Sequence, residues 1–181
     1  NRLIGLKTFK KKINFDTYPS LEAQISAISD DIAYNNHDIQ DGIKANLFKL
    51  EELIEIDFFK SIYLKYKNKI NKTNYKIATY QIVRDSIDLM IKDLLVNTKK
   101  NLKDQKIKSI KDIAASSKPI VSFSEKIQFS EREIKLFLRT KMYQNKAVLR
   151  KNQKGKVIVK KLFNIIKSNP RKFIAKDHLT K

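Results

Sequence analysis

An all-α helical bundle is the fold class predicted by this sequence, and three observations point to it. Only 3 Gly and 3 Pro interrupt 181 residues, and 41% of the chain is hydrophobic, a composition that favours a globular, mainly helical protein over a disordered or all-β one. Long stretches repeat apolar residues every three or four positions, the period of a helix with one buried face. Helix-start signals punctuate these stretches at plausible places. The chain is also long enough to bury one real core.

Residues 1–18 read as basic and irregular, with an extended stretch near Lys12–Phe15. Pro19-Ser20 then breaks the chain, and Ser20 is placed to cap a long helix, Leu21 to Leu47, with Glu22 in its first turn. A second helix is expected within Glu51–Lys69, rich in aromatics (Phe58, Phe59, Tyr63, Tyr66). Thr73 can cap a third, in which Ile77, Tyr80, Val83, Ile87, Met90 and Leu94 form one buried stripe. Periodicity fails from Asp104 to Gln128, where Ser-Ser-Lys-Pro at 116–119 signals a loop. Ser130-Glu-Arg-Glu133 reads as a capping box opening a fourth helix with Ile134, Phe137, Leu138 and Met142. A fifth is expected from Ala147 to Lys167, weakened by Gly155 and stopped by Pro170. No internal repeat, domain boundary or phosphate-cradling glycine motif is evident.

The chain lacks Cys, which excludes disulfides and thiolate metal sites. No apolar run approaches the ~20 residues needed to cross a bilayer, so no membrane association and a cytoplasmic location are the expectation. The net charge of +20 invites a nucleic-acid reading, but only six of the 39 basic residues are Arg. Base and phosphate recognition favours the planar guanidinium fork. A lysine-rich surface implies weak, salt-dependent attraction to nucleic acid.

The first helix holds the one segment with chemistry in it. Each helical residue advances about 100° around the axis. Measured from Asp30, Tyr34 falls at about 40°, His37 at about −20°, Asp38 at about 80° and Asp41 at about 20°. Leu21, Ile25, Ile28, Ile32, Ile39 and Ile43 lie on the opposite side. Ala23 and Ala27 continue the Asp30 face without one Lys. A helix apolar on two sides is usually buried on two sides, so Asp30 is expected in an enclosed place. A carboxylate there must be paired or metal-bound. The plainer alternative is a solvated surface face.

The string from Ser20 to Gly42, SLEAQISAISDDIAYNNHDIQDG, closely resembles the signature helix of the bacterial dGTPase-like branch of the HD-domain deoxynucleoside triphosphate triphosphohydrolases. The stretches Phe137–Tyr143 and Val157–Pro170 are similar to that family's C-terminal helices. The resemblance implies that 1–181 is the C-terminal part of a single HD-type helical domain, with the N-terminal metal-ligand half absent. It implies Asp30 as a ligand of a divalent metal (Mg, Mn or similar), provided the missing ligands are supplied. Tyr34 would pack on the deoxyribose and Asp38 would accept a hydrogen bond from the sugar 3′-hydroxyl. The implied reaction is hydrolysis of a deoxynucleoside triphosphate to deoxynucleoside and triphosphate.

His37-Asp38 looks like the dipeptide that names the superfamily, but no His precedes it and the only other His is His178. A metal site needs several converging ligands, so the isolated chain is expected to be inactive. His37 is a candidate outer group. Arg84, beside the stripe of the third helix, could reach a phosphate. Arg139, Lys141 and Tyr143 lie on a helix whose family counterpart is near the active site or a subunit contact. A homo-oligomer or a complementing N-terminal half is the expected partner. The competing readings are a non-catalytic basic helical module that binds nucleic acid, and a decayed remnant of the hydrolase.

Overall fold

The computed structural model describes residues 17–71 and 73–174. Among them every regular element is helical: α1 (Leu21–Lys44), α2 (Leu50–Leu53), α3 (Asp57–Tyr63), a 3₁₀ turn (Lys67–Lys69), α4 (Tyr75–Asp104), α5 (Ile110–Ala114), α6 (Glu125–Leu138), a π turn (Arg139–Tyr143), α7 (Lys146–Ser168) and α8 (Pro170–Phe173). The all-α expectation holds. The extended stretch expected near Lys12–Phe15 lies outside the described residues, as does His178.

Helix α1 starts where its sequence said. The Ser20 hydroxyl accepts from the Ala23 amide at 3.4 Å and Glu22 sits in the first turn, which offsets the unpaired donors of the helix start. It packs on α4 and α6, while α3 packs on α4. The core between them contains Ile39, Phe59, Ile62, Ile82, Val83, Met90, Ile134 and Leu138, all essentially inaccessible. Two polar side chains cross this core. Asn36 donates to the Ile32 carbonyl at 2.8 Å, and its oxygen meets the Ser86 hydroxyl of α4. At the end of α1, Gly42 lies against the Phe48 ring, so a side chain at 42 would collide with it.

Several predicted boundaries are corrected. The second helix is three short pieces, because Ile54 and Leu64 end their turns and Ile56, Leu53, Phe58 and Phe59 are drawn inward at different angles. On α4 the buried line is Thr79, Ile82, Val83, Ser86, Met90 and Leu94. Ile77, placed in the stripe by its spacing, is 72% exposed. Asn74, not Thr73, occupies the cap position of α4. Nor does Ser130 cap a helix: α6 begins five residues earlier, capped by Ser124, and Ser130 donates to the Lys126 carbonyl. Pro170 occupies the first turn of α8 rather than merely ending α7.

The 104–128 stretch also carries a small helix, α5, whose Ser109 and Asp112 form a capping box. The strap that follows buries Ile120 and Val121, and side chains of α1 and α4 hold its backbone. Gln24 of α1 accepts from the Ile120 and Val121 amides at 3.0 and 3.1 Å. Asn97 and Asn101 of α4 donate to the carbonyls of Ser122 and Ile120. Asp93 accepts from the Ser124 amide and hydroxyl at 2.8 and 2.6 Å. These bonds satisfy backbone groups that have no helix or sheet to join.

Candidate functional site

Helix α1 carries Asp30, Tyr34, His37, Asp38 and Asp41 on neighbouring turns. The opposite stripe is largely inward as expected: Ile32 and Ile39 are buried and Leu21, Ile28 and Ile43 pack against the core, while Ile25 is 46% exposed. The functional face is not enclosed. Asp30, His37 and Asp41 are exposed, Tyr34 is 57% exposed, and Ala23 and Ala27 are exposed too. The expectation of an enclosed Asp30 is therefore corrected: within the described residues nothing covers this face. Small residues on it leave room for a neighbour that the described residues do not supply.

Asp38 differs from the rest. It is half-buried, and the hydroxyl of Tyr143 on the π turn donates to its carboxylate. Burial, then this bond, then the nearby Tyr34 hydroxyl push the Tyr143 phenol strongly up, so it stays protonated and remains a donor. Tyr34, Asp38 and Tyr143 thus form one cluster from two elements 105 positions apart. No sequence spacing announced the pairing. The one hint was that Tyr143 closes a segment resembling the family.

The π turn is itself fixed. Lys141 forms a 2.6 Å ion pair with Glu52 of α2, which holds the Glu52 carboxyl below its usual range. Next to the cluster, Lys135 of α6 reaches Asp31 at 3.0 Å and also pairs with Glu131. A π turn widens the helix by one residue, and such turns often occur where a side chain must be re-aimed. Here it brings Tyr143 to α1.

Other predicted residues are not brought in. Arg84 is exposed on the side of α4 away from Ser86, which meets α1. Arg139 is exposed at the start of the π turn. Among the described residues no three His, Asp or Glu converge to hold a metal ion, so Asp30 stands as a single carboxylate. A cleft of about 980 Å³ lies elsewhere, between α3, α4 and α6, with Phe58, Leu89, Asp93, Ile127 and Phe129 among its walls. It contains none of the cluster, and its Asp93 is engaged in capping α6. No described helix is long and apolar enough to cross a membrane.

Comparison with known proteins finds relatives that match nearly the whole chain. Residues 121–180 match the phosphohydrolase-associated domain. The chain is 62% identical to the deoxyguanosinetriphosphate triphosphohydrolase-like protein of Pelagibacter ubique over 99% of its own length and 48% of that protein. It is 34% identical to the protein of the same description from Parvibaculum lavamentivorans, over 85% of the chain and 39% of the relative. A Rickettsia typhi protein so described is 36% identical over 91% of the chain and 43% of the relative. The chain spans about half the length of the curated relatives it matches. On these grounds it belongs to the HD-domain, deoxyguanosinetriphosphate triphosphohydrolase-like family.

Proposed function

We propose that this chain supplies the sugar-facing wall of a phosphohydrolase acting on deoxynucleoside triphosphates, as the C-terminal part of one HD-type helical domain. The observation that carries the reading is the cluster of Tyr34, Asp38 and Tyr143. A half-buried carboxylate held in one orientation by a phenol is a good acceptor for a sugar hydroxyl. The exposed Tyr34 ring beside it offers a flat apolar surface for the sugar itself. A ring pressed on the deoxyribose would also leave little room for a 2′-hydroxyl.

The reaction in this reading adds water to the α-phosphorus, and the 5′-oxygen leaves as the alcohol of the deoxynucleoside. Asp30, one turn before Tyr34, is offered as one ligand of a divalent metal. The described residues do not complete such a site, so the role of this chain is to bind and orient the nucleoside, and the ion's other ligands must come from elsewhere. His37, two turns after Asp30 on the same face, is offered as an outer group.

The test is a chimera joining the N-terminal half of the Pelagibacter ubique relative to this chain. Triphosphate release from dGTP is expected from the chimera, none from the isolated chain, and a loss of more than 100-fold in Asp30→Ala. Asp38→Asn is expected to act mainly on KM. Undiminished turnover in Asp30→Ala would remove that residue from the site. A chimera without turnover, together with salt-sensitive retention of DNA by the chain, would favour the basic-module reading instead.

A further inference from the structure

Asn35 and Asn36 stand side by side on α1 and are both buried, 4% and 1% exposed, but their polar groups fare differently. The Asn36 amide donates to the Ile32 carbonyl at 2.8 Å and approaches the Met90 sulfur at 3.8 Å, and its oxygen accepts from Ser86. The Asn35 amide nitrogen is inaccessible and has no acceptor. Among the described residues it is the one buried side-chain polar atom without a partner. A buried donor left unpaired destabilises a fold, and an apolar side chain there would avoid that cost. A lone exception in an otherwise satisfied interior calls for a reason outside folding.

Its place on the helix supplies one. Asp31, Asn35, Asp38 and Gly42 recur every four or three residues and fall within about 60° of one another around α1. This line faces α6 and the π turn. Lys135 of α6 pairs with Asp31 at 3.0 Å, and Tyr143 donates to Asp38. The Phe48 ring that lies against Gly42 packs edge-on to Phe137 of α6, with 4.9 Å between ring centres. Asn35 therefore lies between two carboxylates, about one turn from each, the spacing at which helical side chains meet. Asp31 already has its cation, and 55% of its side chain is exposed. Asp38 is half-buried, and Tyr143 is its one hydrogen-bond partner among the described residues. Its other oxygen is open to a second donor.

We propose that Asn35 is a positioning residue of the sugar subsite, an inference that rests on the function proposed above. When the deoxyribose 3′-hydroxyl engages Asp38, the Asn35 amide donates to the same carboxylate and holds it in place. The bond missing from the free chain is made with the substrate bound, so it acts on affinity.

The chimera described above keeps this chain whole and provides the test. Asn35→Leu is expected to raise KM for dGTP about tenfold, with kcat changed by less than about twofold. Asn35→Ala, which only removes atoms, should do the same. Inhibition by 2′,3′-dideoxy-GTP, which lacks the 3′-hydroxyl, should be equal in parent and variants, and in an Asp38→Ala background Asn35→Leu should add nothing. A merely structural role would leave neither difference. An unchanged KM, an equal loss with the dideoxy analogue, or loss of the helical fold in both variants would each overturn the inference while turnover by the parent chimera upheld the function. A parent chimera without turnover would remove both.

Discussion

Helices α1 and α7 are almost equal in length, 24 and 23 residues, and both are amphipathic, yet they meet opposite fates. The apolar side of α1 is received by α4 and α6, with Ile32 and Ile39 inaccessible. Helix α7 has a well-defined apolar face, and among the described residues none of it is buried. Amphipathicity states that a helix needs a partner. It does not say which one. The same lesson holds within α1: its inner face found a partner among the described residues, and its Ala23–Ala27–Asp30 face did not.

The contrast is broken most easily by truncating one aromatic on each side. Phe59 is fully buried, so Phe59→Ala should cost about 3–5 kcal/mol by lost transfer energy and the cavity left behind. Phe163→Ala should change denaturant stability by less than about 0.5 kcal/mol. Comparable losses at both would mean that α7 packs on the body after all. A smaller effect is expected at Asn36→Ala. It leaves the Ser86 hydroxyl without its α1 partner in the core and should cost about 1–3 kcal/mol.

Tyr143→Phe sharpens the comparison at the joint between the two regions. It removes the bond to Asp38, and about 1 kcal/mol is expected for a partly exposed pair. In the active chimera the same change should raise KM more than it lowers kcat, because Asp38 loses its fixed orientation. The least effect is spectroscopic. The Tyr143 phenol is pushed up by burial and by Asp38, so its contribution to stability is whole below the ordinary tyrosine range. That contribution declines as pH rises above it, where the unfolded chain gives up its proton first. An alkaline absorbance titration should show Tyr66, Tyr75 and Tyr143 ionising after the exposed phenols, Tyr143 last, and Tyr143→Phe should delete the latest step.

Much of this was legible in the residues. Ser20 with Glu22 marked the start of α1 because capping is a local matter of three or four positions. The five residues of the α1 face and their resemblance to a family were readable for the same reason. Ser130-Glu-Arg-Glu133 misled because a capping-box pattern is also an ordinary stretch of mid-helix, and Ser124, bound to Asp93 thirty-one positions away, had taken the role. Ile77 misled because two successive three-residue steps, to Tyr80 and Val83, leave it about 120° from Val83 around the helix, so that Ile82 and Ser86 are buried and Ile77 is not.

The sequence by itself determined the all-α class, the placement of α1 and α7, the family, and which acids share a face. These follow from short-range periodicity and capping, whose energies depend on near neighbours. Only the tertiary structure decided that Tyr143 reaches Asp38, that Gln24, Asn97 and Asn101 hold the strap, and that Asp30 stands open. Each of these depends on which distant surfaces come within bonding distance, and no spacing along a chain encodes that.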